Sequence, residues 1–476
     1  MNFNSIEYMI FLPLIAILYY LMPYKYRWVL LLSGSYFFYM CWNIKYSLLM
    51  LTSTVITFAS GLLIDYAKTI KWKKIWVAIS FCSNLGILFF FKYYNFAVDS
   101  LIQVFDAFGI GVTIPNFEVL LPVGISFYTF QALSYTVDVY RGALKPTKHF
   151  GKYALFVSFF PQLVAGPIER TPNLLAQFDE EHDFDYDMAK RGIFLLLFGL
   201  FKKIVIADRL AILVDTVYSN VESYSGQAYW IAAFFFTFQI YCDFSGYSDM
   251  AIGSANILGY RLMKNFNAPY LAKSIAEFWR RWHISLSTWF RDYLYIPLGG
   301  SRVSFSRWCM NTMIVFLVSG LWHGANWTFV IWGVLHGVWQ IIGRLKNNLL
   351  KKKYDNTFFH VVSVLITFML VNFAWIFFRA NTVSDAITIC RGLFVKMDNF
   401  DILALGLGKA DVVLSILLIL LLYVTDIIRS RHDIYGKIQS FVLPVRWAVY
   451  LCGIFFIIFF GIYGELSAGS FIYFQF

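Results

Sequence analysis

The stretch Leu321-Trp-His-Gly-Ala-Asn-Trp327 places a His-Gly pair inside a run of residues typical of membrane helices. Thr328-Phe-Val-Ile-Trp-Gly333 continues the apolar run, and His336-Gly337 follows it. A titratable side chain is costly inside a membrane, so an intramembrane histidine is a candidate functional residue by default. Because imidazole accepts a proton near neutral pH, this segment is the first place to look for chemistry.

The composition around this stretch predicts a membrane protein. The chain has 476 residues, of which 59% are hydrophobic and only 14% are charged, whereas soluble domains carry about 25% charged residues. A soluble protein this apolar could not cover its own surface, so we predict an all-α, polytopic membrane protein. The net charge of +11 is spread over short separate clusters, which argues against nucleic-acid binding. The six cysteines form no CxxC pair, so neither a metal site nor a disulfide framework is predicted.

Apolar runs separated by charged clusters predict the spans. Several runs are shorter than the roughly 20 residues that a full crossing needs, so those near 119–166 and 226–300 are candidates for broken, tilted or re-entrant helices. Together the runs predict one helical domain over residues 1–476 with about 11–13 spanning or re-entrant helices. The candidate spans lie near residues 7–23, 28–44, 47–65, 75–97, 119–138, 153–166, 192–216, 226–242, 309–340, 358–378, 412–428 and 445–464.

The distribution of basic residues predicts the orientation. Residues 98–118 contain acidic residues and no Lys or Arg, so the positive-inside rule places the N-terminus outside and the basic loops in the cytoplasm. We expect no cleavable signal peptide, because the first basic residue follows the first apolar run. Lys202 and Lys203 lie inside an apolar run and not in a loop, so the positive-inside rule does not explain them. The predicted cytoplasmic clusters lie at residues 25–27, 68–74, 141–152, 344–353 and 429–437.

A second candidate segment spans residues 276–302 and includes Trp279-Arg-Arg-Trp-His-Ile-Ser-Leu-Ser-Thr-Trp-Phe290. On one continuous helix its tryptophans share a face and its arginines lie on the other, which predicts an amphipathic, interfacial or re-entrant helix. The arginines and tryptophans either anchor this helix at lipid headgroups or hold the phosphates of a bound donor, since guanidinium pairs well with phosphate. His283 lies within the helix, and alone it would more often be structural than catalytic.

His323 and His336 are 13 residues apart. One continuous helix would separate them by about 20 Å along its axis. Both face one small site only if the helix breaks, for which Gly324 and Gly333 are the candidates. Without a break, one histidine is catalytic and the other is packed or interfacial.

Residues 239–269 place small polar and acidic residues among apolar neighbours, including Asp243, Ser245, Ser248, Asp249 and Asn256. Buried carboxylates need partners. These residues either bond one helix to another or line a reaction chamber. A serine nucleophile with a histidine base is conceivable, but the chain has no Gly-x-Ser-x-Gly elbow.

Four stretches together resemble the membrane-bound O-acyltransferase (MBOAT) family, and the likeness is greatest to its branch of bacterial alginate O-acetyltransferase membrane subunits. The likeness extends over nearly the whole chain. The matching stretches are Pro161-Gln-Leu-Val-Ala-Gly-Pro-Ile-Glu-Arg170, Tyr241-Cys-Asp-Phe-Ser-Gly-Tyr-Ser-Asp249, Phe278–Gly300 and Leu321–Trp327.

The resemblance implies a single helical domain with a thinned centre and a channel, and acyl transfer from a thioester donor to a hydroxyl. The family's near-invariant histidine falls on His323, the implied general base, and its second catalytic-region residue falls on His283, which would position or polarise the thioester. The expected donor is acetyl-CoA, a substrate, with no permanently bound cofactor and no metal. The residues expected to bind the donor are Arg280, Arg281, Trp282 and Asn326.

The resemblance also implies a multi-pass protein of the bacterial inner membrane. The expected acceptor is an extracytoplasmic polysaccharide, either an alginate-like exopolysaccharide or a cell-wall polymer, reached through a partner acetyltransferase outside the membrane. Alternative functions are transport of a polysaccharide or lipid-linked sugar, D-alanyl transfer to teichoic acid, or a catalytically silent scaffold. The chain shows no internal repeat, which argues against transport.

Overall fold

The computed structural model describes residues 1–117, 120–164, 166–349, 356–395, 401–463 and 471–472. Lys351, Lys352 and Lys353 of the predicted cytoplasmic cluster, and Ala165 of the first matching stretch, lie outside the described residues. The structure is 77% helical, and the described ranges contain no strand, which confirms the all-α fold.

Six described helices are long and apolar enough to cross a membrane, which confirms a polytopic membrane protein. The total of about 11–13 spanning or re-entrant helices stays a prediction, because length and composition alone assign only these six. They are Ile44–Tyr66, Ile70–Ala107, Trp327–Lys346, Thr357–Arg379, Lys409–Arg431 and Leu443–Phe460.

The chain divides into two compact units. Unit 1 comprises Met1–Gly192 and Ala251–Met263, and unit 2 comprises Ile193–Met250 and Lys264–Phe476. The assignment of residues 1–476 to a single domain stays a prediction.

Unit 1 is helical, and three of its helices begin at ordinary side-chain caps. The side chains of Ser5, Asn43 and Thr69 each accept a hydrogen bond from a backbone N–H in the first turn of the following helix, which is the usual way to satisfy these donors. Its helices are α1 (Ile6–Leu21), α2 (Tyr24–Met40), α3 (Ile44–Tyr66), α4 (Ile70–Leu88), α5 (Tyr94–Ala107), α6 (Ile125–Tyr140), α7 (Phe150–Ser158), α8 (Phe160–Leu163), α9 (Thr171–Gln177) and the first part of α10 (Tyr186–Leu200), with a π-helical turn at Phe89–Tyr93.

Unit 2 contains the histidines singled out above. It includes π-helical turns at Phe201–Ala207 and Arg291–Tyr295 and single turns of 3₁₀ helix at Val221–Ser223, Pro269–Leu271 and Ile402–Leu405. Its helices are α11 (Asp208–Ser219), most of α12 (Gln227–Ile257), α13 (Ile275–Arg281), α14 (Ile284–Phe290), α15 (Phe305–His323), α16 (Trp327–Leu349), α17 (Thr357–Arg379), α18 (Val383–Gly392), α19 (Lys409–Arg431), α20 (Ile434–Gln439) and α21 (Leu443–Phe460).

The apolar run at 309–340 folds as a hairpin of α15 and α16 and not as one helix. The chain leaves α15 after His323, and the side chain of Asn326 starts α16 by accepting a hydrogen bond from the Thr328 N–H at 3.0 Å. The two helices pack closely at glycines, because a methyl group on Gly320 would lie 2.3 Å from the Phe329 carbonyl oxygen. The break that both histidines need to face one site is therefore present, at Gly324.

The prediction of one continuous amphipathic helix over residues 276–302 is wrong, and the alternative of a broken helix near residues 226–300 is confirmed for this segment. The segment forms two short helices, α13 and α14, which separate at Trp282 and His283. The backbone of residues 265–267 competes for the hydrogen-bonding groups at this point: the Asn267 N–H donates to the Arg281 carbonyl, and the Ile284 N–H donates to the Asn265 carbonyl, both at 2.9 Å. These bonds replace helical ones, so tertiary pairing overrides the helical pattern.

Lys202 and Lys203, which do not fit the positive-inside pattern, pair with carboxylates of unit 2 that are buried or partly buried. Lys203 Nζ lies 2.8 Å from Asp208 and 2.6 Å from Asp243, and Lys202 Nζ lies 2.8 Å from Asp249. Lys202 also donates to the Ser245 hydroxyl at 2.8 Å. Asp243, Ser245 and Asp249 of α12 therefore bond to neighbouring segments, as predicted if these polar residues link one helix to another.

Candidate active site

His283 occupies the break between α13 and α14 in a strained backbone conformation. Its φ of 43° and ψ of 55° lie in the left-handed region, which costs a non-glycine residue about 1–2 kcal/mol. Its side chain is fully buried, with the Phe244 ring edge-on at a centroid distance of 4.6 Å. Strain of this kind persists only where the surroundings hold it, and it is concentrated at functional sites.

Asn265 fixes the orientation of the His283 ring. Asn265 Oδ1 accepts hydrogen bonds from the Ser285 N–H at 3.2 Å and from the Ser285 hydroxyl at 2.9 Å, while its Nδ2 donates to Ser248 at 3.1 Å. The Nδ1 atom of His283 lies 3.2 Å from the same Oδ1. Because a carbonyl oxygen only accepts, Nδ1 of His283 carries the hydrogen and Nε2 of the neutral ring carries the lone pair.

His323 is the last residue of α15 and is only 2% exposed. Three aromatic rings meet it nearly at right angles: Trp322 and Trp332, each with a centroid distance of 5.0 Å, and Phe378 at 5.3 Å. The His323 ring is therefore held in place among aromatic side chains.

The structure brings His283 and His323 to one aromatic cluster. The Trp322 ring lies 5.9 Å from the His283 ring and 5.0 Å from the His323 ring, measured between centroids. Each histidine also lies at an end of a helix where the backbone changes direction. The two residues predicted to carry the chemistry therefore share the Trp322 ring as a common neighbour, although 40 positions separate them in the chain.

His336 belongs to the same cluster through Trp332. The Trp332 ring lies 5.0 Å from His323 and 4.9 Å from His336. His336 is fully buried, and its Nδ1 accepts a hydrogen bond from the Trp279 indole N–H at 3.2 Å. His336 is therefore packed in the protein interior, and Trp332 is the neighbour that it shares with His323.

The two arginines predicted to bind the donor differ in their surroundings. Arg281 makes an ion pair with Glu277 at 2.7 Å and donates to the Asn267 carbonyl at 3.1 Å. Burial raises the pKa of the Glu277 carboxyl, but hydrogen bonds from the Lys273 N–H and from Arg281 outweigh this effect, so the pKa of Glu277 is lowered. Arg280 is exposed and has no ion pair within the described residues, so it is the one of the two that is available to a phosphate.

The other two residues predicted to bind the donor are placed differently. Trp282 is completely buried and stacks on Phe278 with a centroid distance of 5.5 Å. The Asn326 side chain is engaged in the α15–α16 turn, since it caps α16 and donates to the Asn381 carbonyl at 2.8 Å. The assignment of these residues to donor binding stays a prediction. The hydrogen bonds that the Asn326 side chain makes in the turn already explain why an asparagine is present there.

Sequence reasoning missed Asn265 as the partner of His283. Asn265 lies within the stretch 239–269, but no motif or periodicity in that stretch distinguishes it from Asn256 or Asn267. Its role depends on a hydrogen bond across 18 positions of the chain, which only the folded structure specifies.

With this geometry established, comparison with known proteins identifies the family. Residues 143–378 match the model of the MBOAT, membrane-bound O-acyltransferase family. The chain is 40% identical over 439 residues to a probable alginate O-acetylase of Azotobacter vinelandii, covering 91% of this chain and 85% of that protein.

Two further relatives are named for other acyl-transfer reactions. A peptidoglycan O-acetyltransferase of Helicobacter pylori is 38% identical over 392 residues, covering 76% of this chain and 73% of the relative. A teichoic acid D-alanyltransferase of Bacillus subtilis is 28% identical over 292 residues, covering 56% and 71%.

The chain belongs to the membrane-bound O-acyltransferase family. It is a multi-pass membrane enzyme that transfers an acyl group from a donor to a hydroxyl. The resemblance inferred from the four sequence stretches is confirmed.

Proposed function

We propose that this enzyme resides in the bacterial inner membrane and moves an acetyl group from cytoplasmic acetyl-CoA toward hydroxyls of an extracytoplasmic polysaccharide. The observation that carries the mechanism is the meeting of His283 and His323 at one indole ring, Trp322, in a fully buried aromatic cluster. The relatives named for alginate and for peptidoglycan acetylation support acetyl as the acyl group and a polysaccharide as the acceptor.

In the proposed reaction, His323 takes the proton of the accepting hydroxyl as its oxygen attacks the thioester carbonyl carbon. The new C–O bond forms, the C–S bond breaks, and the proton passes from His323 to the departing thiolate. General-base catalysis of this kind typically contributes about 10²–10⁴-fold. Aromatic walls that exclude water would also limit hydrolysis of the thioester.

The tautomer of His283 supports a positioning role. With Nδ1–H directed at Asn265, the neutral ring offers a lone pair at Nε2 and no donor there. Such a ring accepts a hydrogen bond from a substrate N–H or O–H group and thereby orients that substrate. It would polarise a thioester carbonyl only as the imidazolium, which burial disfavours.

The first test is acyl transfer by the purified protein in lipid nanodiscs, supplied with radiolabelled acetyl-CoA. We expect the purified chain to release free CoA, and we expect labelling of alginate or peptidoglycan fragments when proteins captured with the enzyme from its native membrane are also present. A transporter or an inactive scaffold would release no CoA. A protein that ignores acetyl-CoA but uses a D-alanyl carrier thioester would refute the acetyl assignment.

The matched variants are His323→Ala and His432→Ala. His432 is exposed at the end of α19, so its loss should leave transfer unchanged. His323→Ala should insert and purify normally but lose about 10²-fold or more of its rate. Wild-type transfer by a well-folded His323→Ala protein would exclude this histidine as the general base.

The proposed pathway includes a second protein outside the membrane that receives the acyl group and passes it to the polymer. Its test is a reaction in the presence and absence of proteins captured with the enzyme from its native membrane. Polysaccharide acetylation that is complete with the purified chain alone would remove the need for this partner.

A further inference from the structure

A cavity between the start of α2 and the start of α7 brings together two of the predicted cytoplasmic clusters. Its volume of about 620 Å³ is within the usual range of small-molecule sites. Its lining includes Lys25 and Arg27 from the first cluster and His149 and Lys152 from the third. All of the lining residues belong to unit 1, and none of the described ones is acidic. The cavity therefore collects positive charge that the proposed chemistry does not use.

The cations of this cavity occupy helix ends where positive charge is unfavourable. Lys25 and Arg27 lie in the first turn of α2, and Lys152 lies in the first turn of α7. Neither first turn contains an acidic residue, and Pro23 gives α2 no side-chain cap. Because the helix dipole is positive at its N-terminus, it attracts anions and disfavours cations there. The two helix ends and their side chains therefore attract the same kind of ligand, an anion.

The guanidinium group of Arg27 is held in place without a carboxylate. Its Nε donates to the Met22 carbonyl at 3.0 Å, and its Nη1 donates to the His182 carbonyl at 2.7 Å. It lies over the Tyr19 ring, 5.0 Å from the centroid. Neither Lys25 nor Arg27 makes an ion pair within the described part of the chain, so both present a full positive charge to the cavity.

His149 adds a neutral donor to these two cations. Its Nδ1 accepts a hydrogen bond from the Lys152 N–H at 3.1 Å, so in the neutral ring the hydrogen is on Nε2. The Trp28 ring meets the His149 ring nearly at a right angle, with a centroid distance of 4.7 Å, and it also packs against Gly151. Lys152 pairs with Asp179, which compensates part of its charge. Two uncompensated cations and an N–H donor suit a phosphate group, which accepts several hydrogen bonds.

The cavity is also continuous with the exposed apolar surface of α2. Val29 lines the cavity and is 40% exposed. Because Lys25 and Val29 are four residues apart in one helix, they lie on the same face, one turn apart. Val29 is within the span predicted at residues 28–44, where an exposed apolar side chain contacts acyl chains, and Lys25 precedes that span. A soluble phosphate ester would leave this apolar surface uncovered, whereas a phospholipid matches both parts.

We propose that this cavity binds the phosphate-bearing headgroup of an anionic membrane phospholipid, whose acyl chains cover the face of α2 that begins at Val29. Basic pockets between helices on the cytoplasmic side of a membrane are suited to such headgroups. The bound phosphate would join the first turns of α2 and α7 and so stabilise unit 1. The inference goes beyond the proposed function and does not depend on it, because every lining residue belongs to unit 1.

The test is native mass spectrometry of the full chain, titrated in detergent with phosphatidylglycerol or with zwitterionic phosphatidylcholine. We expect one phosphatidylglycerol to be retained in preference to phosphatidylcholine and to raise the temperature of unfolding. Lys25→Gln should weaken this retention about fivefold, the contribution of one lysine to attraction by anionic lipid. Arg27→Gln should weaken it at least as much, and both variants should lose most of the thermal stabilisation by the lipid.

Lys71→Gln is the matched control. Lys71 is exposed and is the second residue of α4, as Lys25 is of α2, and it belongs to another predicted cytoplasmic cluster but does not line the cavity. Its loss should leave lipid retention unchanged. Should Arg27→Gln fail to fold, Lys25→Gln still decides, because the Lys25 side chain is exposed.

Three results would overturn the inference. Equal retention of the two lipids by the unsubstituted protein would show that the cavity does not select an anionic headgroup. Equal weakening in the Lys25 and Lys71 variants would show only a general attraction of the basic surface for anionic lipid. Displacement of the lipid by glycerol phosphate or by CoA would assign the cavity to a soluble phosphate compound.

Discussion

Asn265 and His283 are linked by a hydrogen bond of 3.2 Å between the amide oxygen and ring Nδ1. The same amide oxygen also accepts from Ser285, so one side chain both anchors the start of α14 and selects the tautomer of the histidine. The start of α14 and the tautomer of the ring therefore both depend on the Asn265 side chain, while the end of α13 also depends on the hydrogen bond from the Asn267 N–H to the Arg281 carbonyl.

The first prediction concerns this tautomer. Asn265→Ala removes the oxygen that accepts the Nδ1 hydrogen, so we expect a mixed tautomer population and a kcat reduced by about tenfold or more. Loss of this buried hydrogen-bonded group should also lower the free energy of unfolding by about 1–3 kcal/mol. Asn265→Asp retains an acceptor and should keep the Nδ1–H tautomer. Nitrogen-15 solid-state NMR of labelled histidine distinguishes the two forms. An unchanged tautomer in the alanine variant would contradict the assignment.

A second prediction separates the two arginines of α13. Arg280→Ala removes an exposed cation that makes no ion pair within the described residues, so it should raise the KM for acetyl-CoA several-fold, less so at high salt. Arg281→Ala breaks the contacts with Glu277 and Asn267 and should lower the thermal stability instead. Donor titrations at low and high salt, paired with thermal unfolding, give both quantities. Equal effects of both substitutions on KM would refute the distinction.

A third prediction concerns the α15–α16 hairpin. A methyl group on Gly320 would lie 2.3 Å from the Phe329 carbonyl oxygen, and one on Gly333 would lie 2.3 Å from that of Phe316. Each glycine-to-alanine substitution should destabilise the protein by about 1–3 kcal/mol and reduce transfer by displacing His323.

Gly343 supplies the matched control on the same helix. A methyl group there meets nothing within 4 Å, so Gly343→Ala should be neutral or stabilising by up to about 1 kcal/mol. Thermal unfolding of the three variants decides, and tolerance of alanine at Gly320 would show that the helices need no close approach.

A fourth prediction concerns the buried charges. Lys203→Met removes the cation shared by Asp208 and Asp243, and breaking a buried ion pair typically costs about 3–5 kcal/mol. Lys190 pairs at 2.8 Å with Asp187, whose side chain is 85% exposed, and Lys190→Ala should cost at most about 1 kcal/mol. Retention of monodisperse protein on heating measures the difference. Similar losses of thermal stability in the two variants would show that the buried ion pairs of Lys203 stabilise the protein no more than the exposed pair of Lys190.

Much of the fold class follows from composition and hydropathy, because a chain with so few charges is stable only where lipid covers it. The break at Gly324 was one of two candidates that the sequence offered, and the structure selects it. The sequence offered a broken helix near residues 226–300 as one alternative but could not locate the break at Trp282 and His283, because a helical pattern in residues 276–302 says nothing about competing hydrogen bonds from residues 265–267.

The sequence by itself determined that this protein is an all-α membrane enzyme of the acyltransferase class and that His323 and His283 are the residues to examine. Only the tertiary structure decided that both histidines contact Trp322 and that Asn265 orients the ring of His283. Hydropathy and motifs are properties of local chain segments, whereas a tautomer or a shared ring contact depends on groups that are distant in the chain and meet only after folding.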